Sequence, residues 1–355
     1  MRASIFVVAG FASAFVAGWS LQTSGTTARF RAVSAVDAKV AWASGAGGTV
    51  VKTLDGGANW QRVAVPDSAG LDFRDIQAFD DQTCHVLSIG PGELSRIERT
   101  SDGGATWTVS HVNPDPRGFL DAIAFWDPDR GLALGDPVDG RYQILATDDG
   151  GRTWAKLPEA GMPLALPGEG AFAASGTCLV VQGDRLAWFG TGGGAKARVF
   201  RSTDRGRTWA VAETPIRAGS SSRGVFSVAF RDPRHGLAVG GDYKAEGDPT
   251  AVGASTDDGG ATWQSVPGPG PSGFRSAVEF VPGSEGREVV AVGPSGSDRS
   301  LDGGRTWTSL PPPGFHALNF GREGTGWGVG EGGRIGKLMT DPPVCSLIRF
   351  QNMPI

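Results

Sequence analysis

The sequence predicts an all-β chain: a seven-bladed β-propeller of four-stranded antiparallel blades, closed by the N-terminal strand in the last blade. Three observations carry this. The octapeptide TLDGGANW (53–60) recurs as TSDGGATW (100–107), TDDGGRTW (147–154), STDRGRTW (202–209), TDDGGATW (256–263) and SLDGGRTW (300–307). The tryptophans that end these boxes, Trp60, Trp107, Trp154, Trp209, Trp263 and Trp307, stand 47, 47, 55, 54 and 44 residues apart, a period that belongs to repeat architectures. Finally, 56 Gly and 23 Pro in 355 residues disfavour long helices and favour short strands joined by tight turns.

In chain order, Arg2, the apolar run from Ile5 to Val16 and the small residues after it fit a secretory signal over 1–18, cut near Gly18. The run is shorter than a membrane span requires, although an uncleaved anchor would read similarly. The mature chain is therefore expected to be exported, periplasmic or secreted, with no transmembrane span. Residues 19–25, WSLQTSG, look like a strand that follows a box, yet no box precedes them. Blade 1 then reads FRAVSAV, VAWASG and TVVKT, the box, and WQRVAV. FRDIQAF, FLDAIAF, FSVAF and FRSAVEF open later copies, and FAASGTCLVVQGDRLAWFG is the most divergent. The seventh copy, FHALNFGREGTGWGVGEGGRIGKL, has three strands but neither box nor fourth strand. The orphan strand fills that gap and closes the ring, which removes exposed sheet edges. The propeller thus spans 19–340, and 341–355 form an irregular tail.

Each box falls on the turn between third and fourth strands. Its aspartate (Asp55, Asp102, Asp149, Asp204, Asp258 or Asp302) can accept backbone N–H groups, its glycines supply positive φ, and its tryptophan packs back on the blade. A calcium loop would need further oxygen ligands and a glutamate at its twelfth position, where the chain instead places tryptophan and strand. The boxes are structural, and neither a metal nor a cofactor is expected. GVGEGG (328–333) and GTGGGA (190–195) imitate a dinucleotide fingerprint, but no helix follows either to receive a pyrophosphate. A net charge of −4 gives no electrostatic footprint for nucleic acid. Three cysteines (Cys84, Cys178, Cys345) are too few for a disulfide scaffold.

The pattern S/T-x-D-x-G-x-T-W resembles the Asp-box, or BNR, repeat shared by sialidases, xyloglucanase-type hydrolases and sortilin-like receptors. With GLALGD and GWGVGEGGRIGKL, residues 19 to about 338 are similar to the photosystem II assembly and stability factor group of seven-bladed propellers, which has non-photosynthetic bacterial members. The resemblance implies the fold and, as function, an assembly-factor-like scaffold. It does not imply a single activity, because one fold hosts many.

Strand parity places the box turns on one face and the irregular, polar loops on the other, where function usually sits. Those loops carry Asp136, Arg141, Glu169, Asp242, Tyr243, Lys244, Glu331 and Arg334. The starts of the inner strands add Arg74, Asp121, Arg275 and His316 near the axis. Mixed charge favours a protein or peptide partner, membrane-associated ones included, over a polyanion. Arg275 and Asp242 are expected to serve capture with little effect on melting. A sialidase would need an arginine triad and a tyrosine nucleophile, and a xyloglucanase-type enzyme two propellers with paired carboxylates. The leading expectation is accordingly a non-enzymatic, monomeric binding propeller, with a glycoside hydrolase or glycan-binding propeller as the alternative.

Overall fold

The computed structural model describes residues 17–339, so most of the expected signal (1–18) and the tail (341–355) lie outside the described residues. It is a seven-bladed propeller: seven four-stranded antiparallel sheets, each beginning at the axis. Blade 1 runs outward through Phe30–Ala35, Ala41–Gly45, Thr49–Thr53 and Gln61–Val63. Its second strand, Ala41–Gly45, is buried at every position, as is Val289–Gly293 of blade 6. A blade packed between two others buries both faces, so these strands show no alternation of buried and exposed positions. Blade 4 takes Leu179–Gln182 as its inner strand, which explains why its repeat looked divergent: 163–178 are mostly irregular. Among the described residues no helix is long and apolar enough to cross a membrane. Cys84 and Cys178 are both buried free thiols.

Blade 7 closes as the repeat arithmetic requires. Ala317–Phe320, Gly326–Val329 and Ile335–Met339 are completed by Gly18–Gln22 on the outside. The pairing runs from Gly18 with Met339 to Gln22 with Ile335. The strand thus starts one residue earlier than expected and stops three short of Gly25. The chain turns away there, with Gly25 at φ 72°.

The boxes share one hydrogen-bond pattern. In the second, the Thr100 hydroxyl donates to Asp102 Oδ1 (2.8 Å) and accepts the Gly104 N–H (2.9 Å). Asp102 Oδ1 also accepts the Thr106 N–H (2.9 Å), and Oδ2 the Thr106 hydroxyl (2.6 Å). The other five repeat these bonds, with the Asn59 amide replacing the threonine hydroxyl in the first. The hydroxyl and carboxylate side chains that the repeat retains are thus spent within the turn. In the fourth box Arg205 stands where the others have glycine, at φ 60°.

Two opposite sets of carboxyls bracket the stability of the ring. The hydroxyls of Thr106 and Thr153, followed by the same residues' N–H groups, hold Asp102 and Asp149 at about 2. Unfolded Asp titrates near ~3.9, so these groups add stability above that value, and it is lost as pH falls through about 2. Burial pushes Asp75 and Glu279 up to about 7. Their contribution is fully present below ~4 and is lost as pH rises through about 7. Urea denaturation from acid to mild base should show maximal stability at about pH 4–6, and a maximum above neutrality would contradict this assignment.

Candidate functional site

The funnel at the end of the axis opposite the boxes is built by β-bulges. In four inner strands the register slips by one residue at the entrance: Phe30–Ala35 at Arg31, Asp72–Ala78 at Arg74, Leu120–Phe125 at Asp121 and Arg223–Phe230 at Phe226. A bulge leaves one residue unpaired and re-aims its side chain. All four bulged residues line one cavity of about 500 Å³.

That cavity has three walls. On the aromatic side Phe172 stacks on Phe226 (3.8 Å between centroids, 10° between planes), and Phe274 meets Phe226 edge-on at 4.7 Å. Tyr243, 42% exposed, stands beside them. Three backbones must approach closely to bring Phe172 here. Gly192 bridges both Gly170 and Gly224, and a Cβ on it would lie 2.4 Å from the Arg223 carbonyl. This gives GTGGG a physical reason unrelated to phosphate.

The basic side holds Arg31 and Arg74. Arg74 donates to Asp72 Oδ2 (2.8 Å) and the Ala173 carbonyl (3.0 Å). Arg31 Nε has no partner; burial first, then Arg74 and Arg29, push its guanidinium down to about 9. His316 Nε2 meets Glu331 Oε1 at 2.8 Å. Burial first, then Arg31, lower the imidazole, outweighing Glu331. The acidic side is Asp121 with Asp136. Asp136 Oδ1 accepts the Ala171 N–H (2.8 Å), whereas Asp121 is 1% exposed and neither of its oxygens has a partner. Burial raises both carboxyls, and Asp136 raises Asp121 further.

Of the residues that the sequence singled out, the structure brings Arg74, Asp121, Asp136, Tyr243 and His316 together in the funnel. Others are consumed elsewhere. Arg275 is 1% exposed and bonds Asp298 Oδ2 (2.6 Å), the Phe274 carbonyl (2.7 Å) and the Ser272 hydroxyl (2.6 Å). The expectation that it serves capture without affecting stability is therefore corrected. Glu169 pairs with Arg198, with Oε1 2.8 Å from Nε. Asp242 accepts from Arg223 Nε (2.8 Å). Arg141 donates to the Met162 carbonyl, and Arg334 to that of Gly314 (2.8 Å). Lys244 lies in the same loop as Tyr243, its N–H donated to Asp242 (3.0 Å). GDPVDGRY is no free loop but the end of a paired hairpin that turns at Asp139–Gly140.

Sequence reasoning missed Arg31, Phe172, Phe226 and Phe274. A signal for the bulges existed: buried apolar residues stand three apart (Phe30 and Val33, Phe73 and Ile76, Leu120 and Ile123, Val225 and Val228) where an unbroken strand would space them by two.

With this geometry in view, the chain can be set beside known proteins. No family model matches it. A YCF48 solved bound to a D1 peptide superposes with a TM-score of 0.63 at 18% identity, covering 91% of this chain and 97% of that one. YCF48 from Cyanidioschyzon merolae gives 0.64 at 17%, covering 90% and 98%. The likeness is one of fold. It runs over nearly the full length of both chains. A GH74 xyloglucanase from Xanthomonas campestris also matches, with a TM-score of 0.59 at 16% identity, but this chain covers 53% of it. In sequence, xyloglucanase Xgh74A of Acetivibrio thermocellus is 24% identical over 247 residues. This chain spans less than a third of that relative, 29% of its length.

Proposed function

We propose that this propeller binds an extended segment of a protein or peptide partner in the axial funnel, and that it works as an exported, assembly-factor-like scaffold without a reaction of its own. The observation that carries the reading is the funnel's lining. Bulges bring apolar, cationic and carboxyl side chains into one open cavity, which suits a peptide's mixture of side chains. The YCF48 propeller bound to a D1 peptide supports it as a structural neighbour. On this reading the six boxes are Asp-box turns with no part in binding, and residues 1–18 direct export.

The test is a screen of soluble peptides by fluorescence anisotropy. Removing the exposed ring with Tyr243→Ala should weaken hits about tenfold, the usual worth of a rigid aromatic anchor. Arg152→Ala with Arg305→Ala, on the box turns, should leave them unchanged. Hits that depend on the box pair and ignore Tyr243 would refute the placement.

A second reading, glycoside hydrolysis, has one observation in its favour. Asp121 and Asp136 lie on adjoining strands and line one cavity, and burial raises both carboxyls, as a general acid requires. Release of reducing ends from xyloglucan that is lost in Asp121→Asn would establish it.

A further inference from the structure

Two side chains lining the funnel have polar atoms without a partner, Arg31 at Nε and Asp121 at both carboxyl oxygens. Asp121 stands at the bulge of its strand and lines the cavity, is almost wholly buried, and leaves both carboxyl oxygens without a hydrogen-bond partner. Buried polar groups are nearly always satisfied, so an orphan beside an open cavity calls for a partner from outside. Asp136 reinforces the same sign on the adjoining strand. The cations of the basic wall are partly spent, since Arg74 holds Asp72 and the Ala173 carbonyl. Among the described residues no group of three or more His, Cys, Asp or Glu side chains is placed to hold a metal ion. An organic cation needs only what is present: hydrogen-bond acceptors at the end of a cavity whose aromatic wall covers an aliphatic stem.

We propose that Asp121, with Asp136 beside it, receives a basic side chain, lysine or arginine, of the bound segment. The inference rests on the peptide-binding reading and specifies what that segment must carry. It also has a signature that a structural role would lack. Burial raises the Asp121 carboxyl in the free protein, and an incoming ammonium favours the ionised form. Binding should then release a proton from this site. The other titratable groups around it are Asp136, Asp75, which accepts the N–H of Ile123 two residues along, Tyr142 and Cys178. Arg31 and Arg74 line the same cavity.

The experiment uses capped pentapeptides of leucine, phenylalanine and serine in which one position is lysine, norleucine or glutamate. Binding is followed by calorimetry in two buffers of different ionisation enthalpy. Lysine members should bind at least about tenfold tighter than norleucine members, as a charge-assisted hydrogen bond allows, with about one proton released. Asp121→Asn should erase both the preference and the proton while retaining the weaker binding. Equal binding of norleucine members, no proton release, or a preference that survives in Asp121→Asn would overturn this inference and leave peptide binding standing. Failure of every member to bind the wild-type protein would overturn both. If Asp121→Asn does not fold, the proton count of the wild-type protein decides alone.

Discussion

Arg275→Ala should destabilise the propeller by about 3–5 kcal/mol, the cost of leaving a buried charge without its partner. Arg275 and Asp298 are each 1% exposed. Asp298 additionally accepts the Ser272 N–H (3.1 Å) and the Ser309 hydroxyl (3.0 Å), so the network is fully satisfied while both charges are present. Removing one strands the other in a medium that solvates it poorly. The paired change Arg275→Met with Asp298→Leu removes both charges and should recover most of the loss, because apolar replacement of a buried ion pair is often neutral. Urea denaturation of the three variants tests this. A single mutant as stable as wild type would show that water reaches the pair. The Arg275 side chain also donates to the carbonyl of Phe274, so the single change should loosen the aromatic wall and weaken peptide binding as well. Any loss of binding in this variant must therefore be judged per folded molecule.

Removal of residues 1–22 should be equally damaging. Gly18–Gln22 covers the edge of Ile335–Met339, and an uncovered edge pairs with other chains. Trp19 packs on Phe315 at 4.4 Å between centroids. Gln22 acts as a clasp between the last blade and the first: its Oε1 accepts the indole N–H of Trp60 (2.9 Å) and of Trp327 (3.2 Å), and its Nε2 donates to the Gly56 carbonyl (3.3 Å). The truncated chain should form soluble oligomers or aggregate, read by light scattering. The point change Gln22→Ala leaves two indole donors without an acceptor and should cost about 2–4 kcal/mol in urea denaturation. A monomeric truncation with unchanged stability would mean that closure contributes little.

The period of the boxes, the boxless seventh copy and the unaccounted strand at 19–25 together determine blade number, strand order and closure, because each is a count along the chain. The same patterning assigns the box residues to turns, since a group used six times over belongs to the repeat rather than to one site. What the sequence could not determine is which way the inner-strand side chains face. Arg31, Arg74 and Arg275 occupy similar places after a phenylalanine, yet the first two line the funnel and the third is buried on Asp298. A one-residue bulge decides between these fates, and it arises from how each strand fits its neighbour within the closed ring. Phe172 reaches the axis because glycines let three distant backbones touch, and Asp121 loses its solvent only once blades 2, 3 and 4 pack around it. Local pattern sets the pairing of strands. Burial, and with it the charge state and availability of each side chain, belongs to the assembled ring, because desolvation depends on every neighbour at once.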